Sequence, residues 1–166
     1  VTSIGSHAFE NCDQLTNIEM SDSVASIGDY AFEYCSSLTY IDLSSGVQQI
    51  KLTAFTSCDS LSAINVAEAN ENYTSVDGVL FDSAMTTVIF YPRAGKEEYT
   101  IPNGVEKIGD SAFNHCKELR SIEIPNSVTS IEACAFKSCG LYSINIPISV
   151  TSIGRYAFDE CSSLFN

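Results

Sequence analysis

Seven cysteines and two histidines are the side chains of this 166-residue chain best equipped for chemistry. Thiolates serve as nucleophiles, zinc ligands or disulfide partners, and an imidazole beside them acts as base or further ligand. Spacing decides among these uses. Cys12, Cys35, Cys58, Cys116, Cys139 and Cys161 each stand three residues after a phenylalanine (Phe9, Phe32, Phe55, Phe113, Phe136 and Phe158), mostly in steps of 23. Cysteines in one phase of a repeat stack in a column, pointing the same way, with Cβ atoms about one strand spacing (roughly 4.8 Å) apart. A bridge prefers about 3.8 Å and converging vectors. The column therefore reads as buried, reduced thiols packed as small hydrophobes. Neither His7 nor His115 lies in ligand spacing with two cysteines, and no Cys-x-x-Cys occurs, so no metal site is expected. Cys134 is out of phase, in the variable position held elsewhere by His7, Tyr30, Thr53, Ser111 and Tyr156.

Other chemistry is equally sparse. No Gly-x-Ser-x-Gly, P-loop or dinucleotide fingerprint occurs. Both histidines sit at repeat-variable positions, where surface placement is expected, and the pairs Glu97-Glu98 and Asp159-Glu160 read as solvated charge. The expectation is a non-enzyme with no catalytic residue and no cofactor.

The elements that carry these residues repeat. Each unit begins with Val-x-x-Ile (Val1/Ile4, Val24/Ile27, Val47/Ile50, Val105/Ile108, Val128/Ile131, Val150/Ile153), a β-branched pair that predicts a short extended stretch. Ala-Phe-x-x-Cys-x-x-Leu follows, with apolar steps of three and four that predict one or two helical turns. Leu-x-x-Ile-x-apolar then alternates like a half-buried strand, as in Leu38/Ile41/Leu43 or Leu119/Ile122/Ile124. A period in the twenties marks a solenoid, whose coils bury their apolar faces only against their neighbours. The fold class expected is a right-handed β/α solenoid, with parallel strands on a concave face and short helical turns on a convex one. Six coils of about 23 residues make a single domain over residues 1–166. An insertion over 67–104 is expected to hold a β-hairpin, with Asp77–Phe81 and Thr87–Pro92 as strands around a turn at Asp82–Thr86, pairing Val79–Phe81 with Val88–Phe90.

The run Ile-Gly-x-x-Ala-Phe-x-x-Cys-x-x-Leu-x-x-Ile-x-Ile-Pro-x-Ser-Val, read across Ile108–Val128, resembles the BspA-type leucine-rich repeat, and the likeness covers the whole chain. The Asn or Cys ladder of other leucine-rich repeats is missing after the strand, where Ser23, Gly46, Gly104, Ser127 and Ser149 stand. The resemblance implies a cell-surface or secreted protein that adheres to a host extracellular or cell-surface protein. A structural spacer carrying another domain and a carbohydrate-binding face remain open alternatives.

Alternation places Glu19, Asp42, Asn65, Glu123 and Asn145 outward on the concave strands, with Tyr40, Arg120 and Tyr142 beside them. These eight are the candidate partner-binding residues. Net charge is −13, and residues 1–50 hold no Lys or Arg, so phosphate backbones and anionic lipid are repelled. Nucleic acid is not an expected partner. No apolar run approaches the roughly 20 residues that span a bilayer, so no direct membrane insertion is expected of this stretch. The chain opens at Val1 in mid-pattern and stops at Asn166 partway through a repeat, which predicts a piece of a longer protein.

Overall fold

The computed structural model describes residues 1–165. They fall into two compact units, residues 1–83 and residues 84–165.

In the first unit the expected extended pairs form β1 (Ser3–Ile4), β2 (Ser26–Ile27) and β4 (Gln49–Ile50). They pair in parallel at one repeat's offset, Ile4 opposite Ile27 and Ile27 opposite Ile50. The longer strands β3 (Tyr40–Leu43) and β5 (Ala63–Val66) pair likewise, Ile41 opposite Ile64. Ile41 and Leu43 are buried while Tyr40 and Asp42 are exposed, the alternation the sequence predicts. A hairpin follows, β6 (Tyr73–Val76) antiparallel to β7 (Val79–Asp82). Asp77-Gly78, read in the sequence as the start of a strand, is instead its two-residue turn. Both residues have positive φ (52° and 80°), as a type I′ turn demands.

In the second unit β8 (Thr87–Phe90), β10 (Lys107–Ile108), β12 (Ser130–Ile131) and β13 (Ser152–Ile153) are parallel neighbours, and β9 (Glu98–Thr100) pairs with β11 (Ser121–Glu123). Val88 lies opposite Ile108, Tyr99 opposite Ile122, and Tyr91 stacks on Phe113 with ring centroids 5.0 Å apart. The insertion thus contains a coil of its own, with Tyr91 standing in the phenylalanine position. That coil escaped the motif because it lacks Ala-Phe-x-x-Cys.

The expected helical turns do not form. The one helix among the described residues is a single 3-10 turn, Leu52–Phe55. Elsewhere the Ala-Phe-x-x-Cys segment is a chain of tight turns, with two non-glycine residues per coil in the left-handed region: His7 and Asn11, Tyr30 and Tyr34, Ser111 and His115, Cys134 and Ser138, Tyr156 and Glu160. A left-handed residue reverses the helical path. The N–H groups of His7, Phe9 and Asn11 then donate to the carbonyls of Asp29, Ala31 and Glu33 in the next coil, at 2.8–3.0 Å, instead of upward within a helix. The exception explains itself. Thr53 fills the first of these positions in its coil, and a β-branched residue is a poor occupant of left-handed backbone. Thr53 has no positive φ, and the 3-10 turn forms there.

The core is a stack of rings and thiols. Phe9, Phe32 and Phe55 stack at 5.3 and 5.8 Å in the first unit; Tyr91, Phe113, Phe136 and Phe158 stack at 5.0, 5.0 and 5.3 Å in the second. Beside the rings runs a ladder of thiols. Cys35 Sγ lies 3.1 Å from Phe9 O, Cys58 Sγ 3.0 Å from Phe32 O, Cys139 Sγ 3.3 Å from Phe113 O and Cys161 Sγ 2.9 Å from Phe136 O. The cysteines are free thiols, as expected, but these four are more than small hydrophobes: each donates to the ring residue's carbonyl one coil back. Two expectations need correcting at the outer coils, since a coil is covered only where another stacks on it. Cys12 is exposed and Cys161 half-buried, and Phe9 and Phe158 are likewise half-buried. Burial pushes up the thiols of Cys35, Cys116 and Cys161, and carries the Tyr91 phenol to about 12.

Candidate binding face

The long-strand face, called concave in the sequence, is where the eight candidate residues were expected. Tyr40 and Asp42 stand on β3, Asn65 on β5 and Glu123 on β11. Arg120 directly precedes β11. Glu19, Tyr142 and Asn145 lie on chain that forms no strand, so the strands expected over Leu15–Met20 and Leu141–Ile146 are absent. In the second of these the chain has lost one residue at Gly140, where a Cβ would run into Lys117 O. Tyr142 N–H still bonds Arg120 O at 3.1 Å, but Ile146 beyond it is exposed rather than tucked in.

In the first unit the outward side chains hold one another across coils. Asn65 Nδ2 donates to Asp42 Oδ1 at 2.8 Å, and Asn17 Nδ2 to the Tyr40 hydroxyl at 2.8 Å. Each bond spans 23 residues, because coil stacking brings equal phases together. A groove of about 520 Å³ runs alongside, between Glu19, Asp42 and Asn65 and the apolar Met20, Leu43 and Val66. The far edge of this sheet is occupied. The hairpin lies along β5, with Ile64 N–H bonding Gly78 O at 2.9 Å and Val66 N–H bonding Ser75 Oγ at 3.0 Å. Only glycine fits at 78, since a Cβ there would sit 2.9 Å from Ala63 Cα. Asn70 anchors the approach. Its buried amide donates to Ser44 O and Val47 O and accepts from the N–H groups of Asn72 and Tyr73. A covered edge cannot recruit a stray strand.

In the second unit the Arg120 guanidinium lies 5.4 Å from the Tyr142 ring centroid and reaches Gly140 O and Glu118 Oε2, each at 3.5 Å. Thr100 Oγ1 donates to Glu123 Oε2 at 3.1 Å. The corresponding groove is smaller, about 370 Å³, with Pro102 and Pro125 at its lip. Charge separates the two units. Residues 1–83 carry twelve acids against Lys51 alone, whereas residues 84–166 carry nine acids against seven Lys and Arg.

The histidines divide as well. His7 is exposed and pairs with Glu10, its Nδ1 2.8 Å from Oε2. His115 is half-buried, and burial, with Arg93 and Lys117 nearby, holds its pKa below the usual imidazole range. The sequence places Arg120 and Tyr142 in one column at the strand edge, and the structure adds that the guanidinium lies over the ring. Sequence reasoning missed Asn70, whose role rests on a packing site no motif marks.

Parallel coils at a near-constant step, with a short and a long strand per coil, define a leucine-rich-repeat β-solenoid. The chain belongs to the BspA-type leucine-rich repeat family: the model of the BspA type leucine rich repeat region matches residues 1–93 and 83–166, with six copies. Among solved structures, a leucine-rich repeat protein of Eubacterium ventriosum is 27% identical over 98% of this chain and 56% of its own, with a TM-score of 0.75. The pneumococcal vaccine antigen PcpA is 27% identical over 99% of this chain and 53% of its own, at a TM-score of 0.70. A leucine rich cell surface protein of Faecalibacterium prausnitzii is 30% identical over 100% and 42%, at 0.57. The chain therefore spans about half the length of these relatives. No curated protein matches it.

Proposed function

We propose that this chain is a non-catalytic protein-binding module of a cell-surface or secreted protein, with the partner docking on the long-strand face. The observation that carries this reading is pre-organisation. Asp42, Tyr40, Glu123 and Arg120 are exposed or half-exposed, yet each is already tied to a neighbouring coil or side chain. Side chains ordered before contact lose less entropy on binding. Likeness to a cell surface protein and to a vaccine antigen supports the location, and the outward strand residues of each unit support an adhesive role.

Tyr and Arg are the types that carry interface energy when desolvated, so Tyr40 and Arg120 are the anchors. Glu19 and Asp42 steer approach. The test is a pull-down from extracellular matrix and host-cell surface protein, run beside a glycan array. Tyr40→Ala or Arg120→Ala should weaken a captured protein by about 1–3 kcal/mol. Binding to glycans alone would replace this reading with carbohydrate stacking on Tyr40 in the first unit or on Tyr142 in the second. Full affinity in both variants, lost on deleting Asp77–Pro92, would move the site to the insertion, and capture of no protein or glycan would leave a spacer.

A further inference from the structure

We propose that His7, Glu10 and Glu33 form a site for a divalent first-row transition ion, zinc above all, that clamps the first two coils together. One donor atom from each of the three lies within 4.8 Å of the others. The convergence is a product of the repeat. Glu10 and Glu33 are one coil apart in the same phase, directly after the stacked Phe9 and Phe32, so the fold holds their carboxylates side by side. His7 completes the group from three residues upstream.

The imidazole is held in place before any ion arrives. His7 has left-handed backbone (φ 59°), its N–H is bound to Asp29 O at 3.0 Å, and its ring stacks on Tyr30 at 5.2 Å. Its Nδ1 points at Glu10 Oε2, 2.8 Å away. An imidazole nitrogen with two carboxylate oxygens is a ligand set for zinc or its first-row neighbours, not for calcium or magnesium, which take oxygen alone. Three protein ligands leave the remaining positions to water.

The same phase elsewhere in the chain shows what the carboxylates are missing. In the second unit it holds Lys137 and Asp159, which pair at 2.7 Å. There the repeat neutralises itself. In the first unit it stacks acid on acid, and no Lys or Arg occurs before Lys51. Like charges held side by side oppose coil stacking, and a dication between them turns that repulsion into a cross-link. The sequence concealed the site because cysteines were the expected partners for histidine, whereas the carboxylates come from 3 and 26 residues further on.

The test is titration of the whole chain with zinc chloride after chelator treatment, followed by calorimetry, with melting temperature as a second readout. One zinc per chain should bind and raise the melting temperature, because an ion held by the folded chain alone stabilises it. Loss of a supporting group commonly costs about 10–100-fold in affinity, so loss of a ligand in His7→Ala or Glu33→Gln should cost at least about tenfold. His7 is exposed and Glu33 half-buried, and an unchanged circular dichroism spectrum in metal-free buffer confirms that the variants fold. The exposed thiol of Cys12 and the half-buried one of Cys134 are the competing zinc ligands. A Cys12→Ser/Cys134→Ser variant should bind zinc as the parent does, and cobalt(II) in the site should lack a thiolate charge-transfer band. No saturable uptake at a few-fold excess of zinc overturns the proposal. So does uptake that survives His7→Ala or disappears with the cysteines.

Discussion

The two units use one framework and charge it differently. Both stack an aromatic ring on an aromatic ring and bond a thiol to the carbonyl one coil back. Immediately beside that shared core, one unit stacks Glu10 on Glu33, whereas the other sets Lys137 against Asp159 and Glu160, with Ser138 bonded to Glu160 at 2.7 Å. The inward phases of the repeat answer to packing and tolerate little, while the outward phases are free to be acidic, neutralised or adapted to a ligand. In a solenoid, whatever occupies an outward phase meets its own equivalent in the next coil. A single substitution there creates or removes a pair.

Substitutions in the shared core should have the largest effect and should treat the units alike. Phe32→Ala and Phe113→Ala each leave a ring-sized cavity in a fully buried stack and should cost roughly 3–5 kcal/mol in urea unfolding. Hydrogen exchange should quicken mainly in the coils on either side. A large difference between the two would mean that the cores are not equivalent.

Alkaline pH should come next. The thiols of Cys35, Cys116 and Cys161 and the Tyr91 phenol are raised chiefly by burial. An acid whose pKa is higher folded than unfolded keeps its proton longer in the folded chain. Stability should therefore fall as pH rises past about 8.5, where unfolded thiols ionise. His115 works at the other end. Its pKa is lowered in the fold, so the unfolded chain takes up the proton first and some stability is lost as pH falls below about 6.5. Melting temperatures across pH should show both shoulders, and His115→Gln should remove only the acid one.

A smaller effect separates the turn corners. Ser111→Val forces a β-branched residue into left-handed backbone and should cost roughly 1–2 kcal/mol. Thr53 shows the native way out, a 3-10 turn, so a crystal structure of the variant should show the same local change. If Val is accommodated at φ near 57° without loss, backbone strain is not what selects the turn.

The smallest effect goes to the heart of the contrast. Lys137→Ala removes the cation between Asp159 and Glu160 and should lower the melting temperature slightly, by less in high salt. Glu33→Gln should raise it in metal-free buffer, because the acid stack is relieved. Equal signs for the two would erase the distinction between the units.

Much of this was legible in the sequence. Period, phase and β-branched pairs predicted the parallel coils, the ring column, the free thiols and the outward placement of Asp42, Asn65 and Glu123, since stacking at a fixed step permits no other register. The helical turns were misread because apolar steps of three and four at Ala31, Phe32, Cys35 and Leu38 suit a helix and a run of tight turns equally. What separates them is where the N–H groups bond, and Phe32 N–H goes to Ala54 O of the next coil, a partner that exists only after stacking. The coil around Tyr91 stayed hidden because a different aromatic fills the phenylalanine site. The clustering of His7, Glu10 and Glu33, the Arg120–Tyr142 contact and the Asn70 anchor were likewise decided by tertiary structure. Periodicity determines which phases meet, but the distance and direction between two side chains depend on backbone turns and neighbouring coils that no local run of residues encodes.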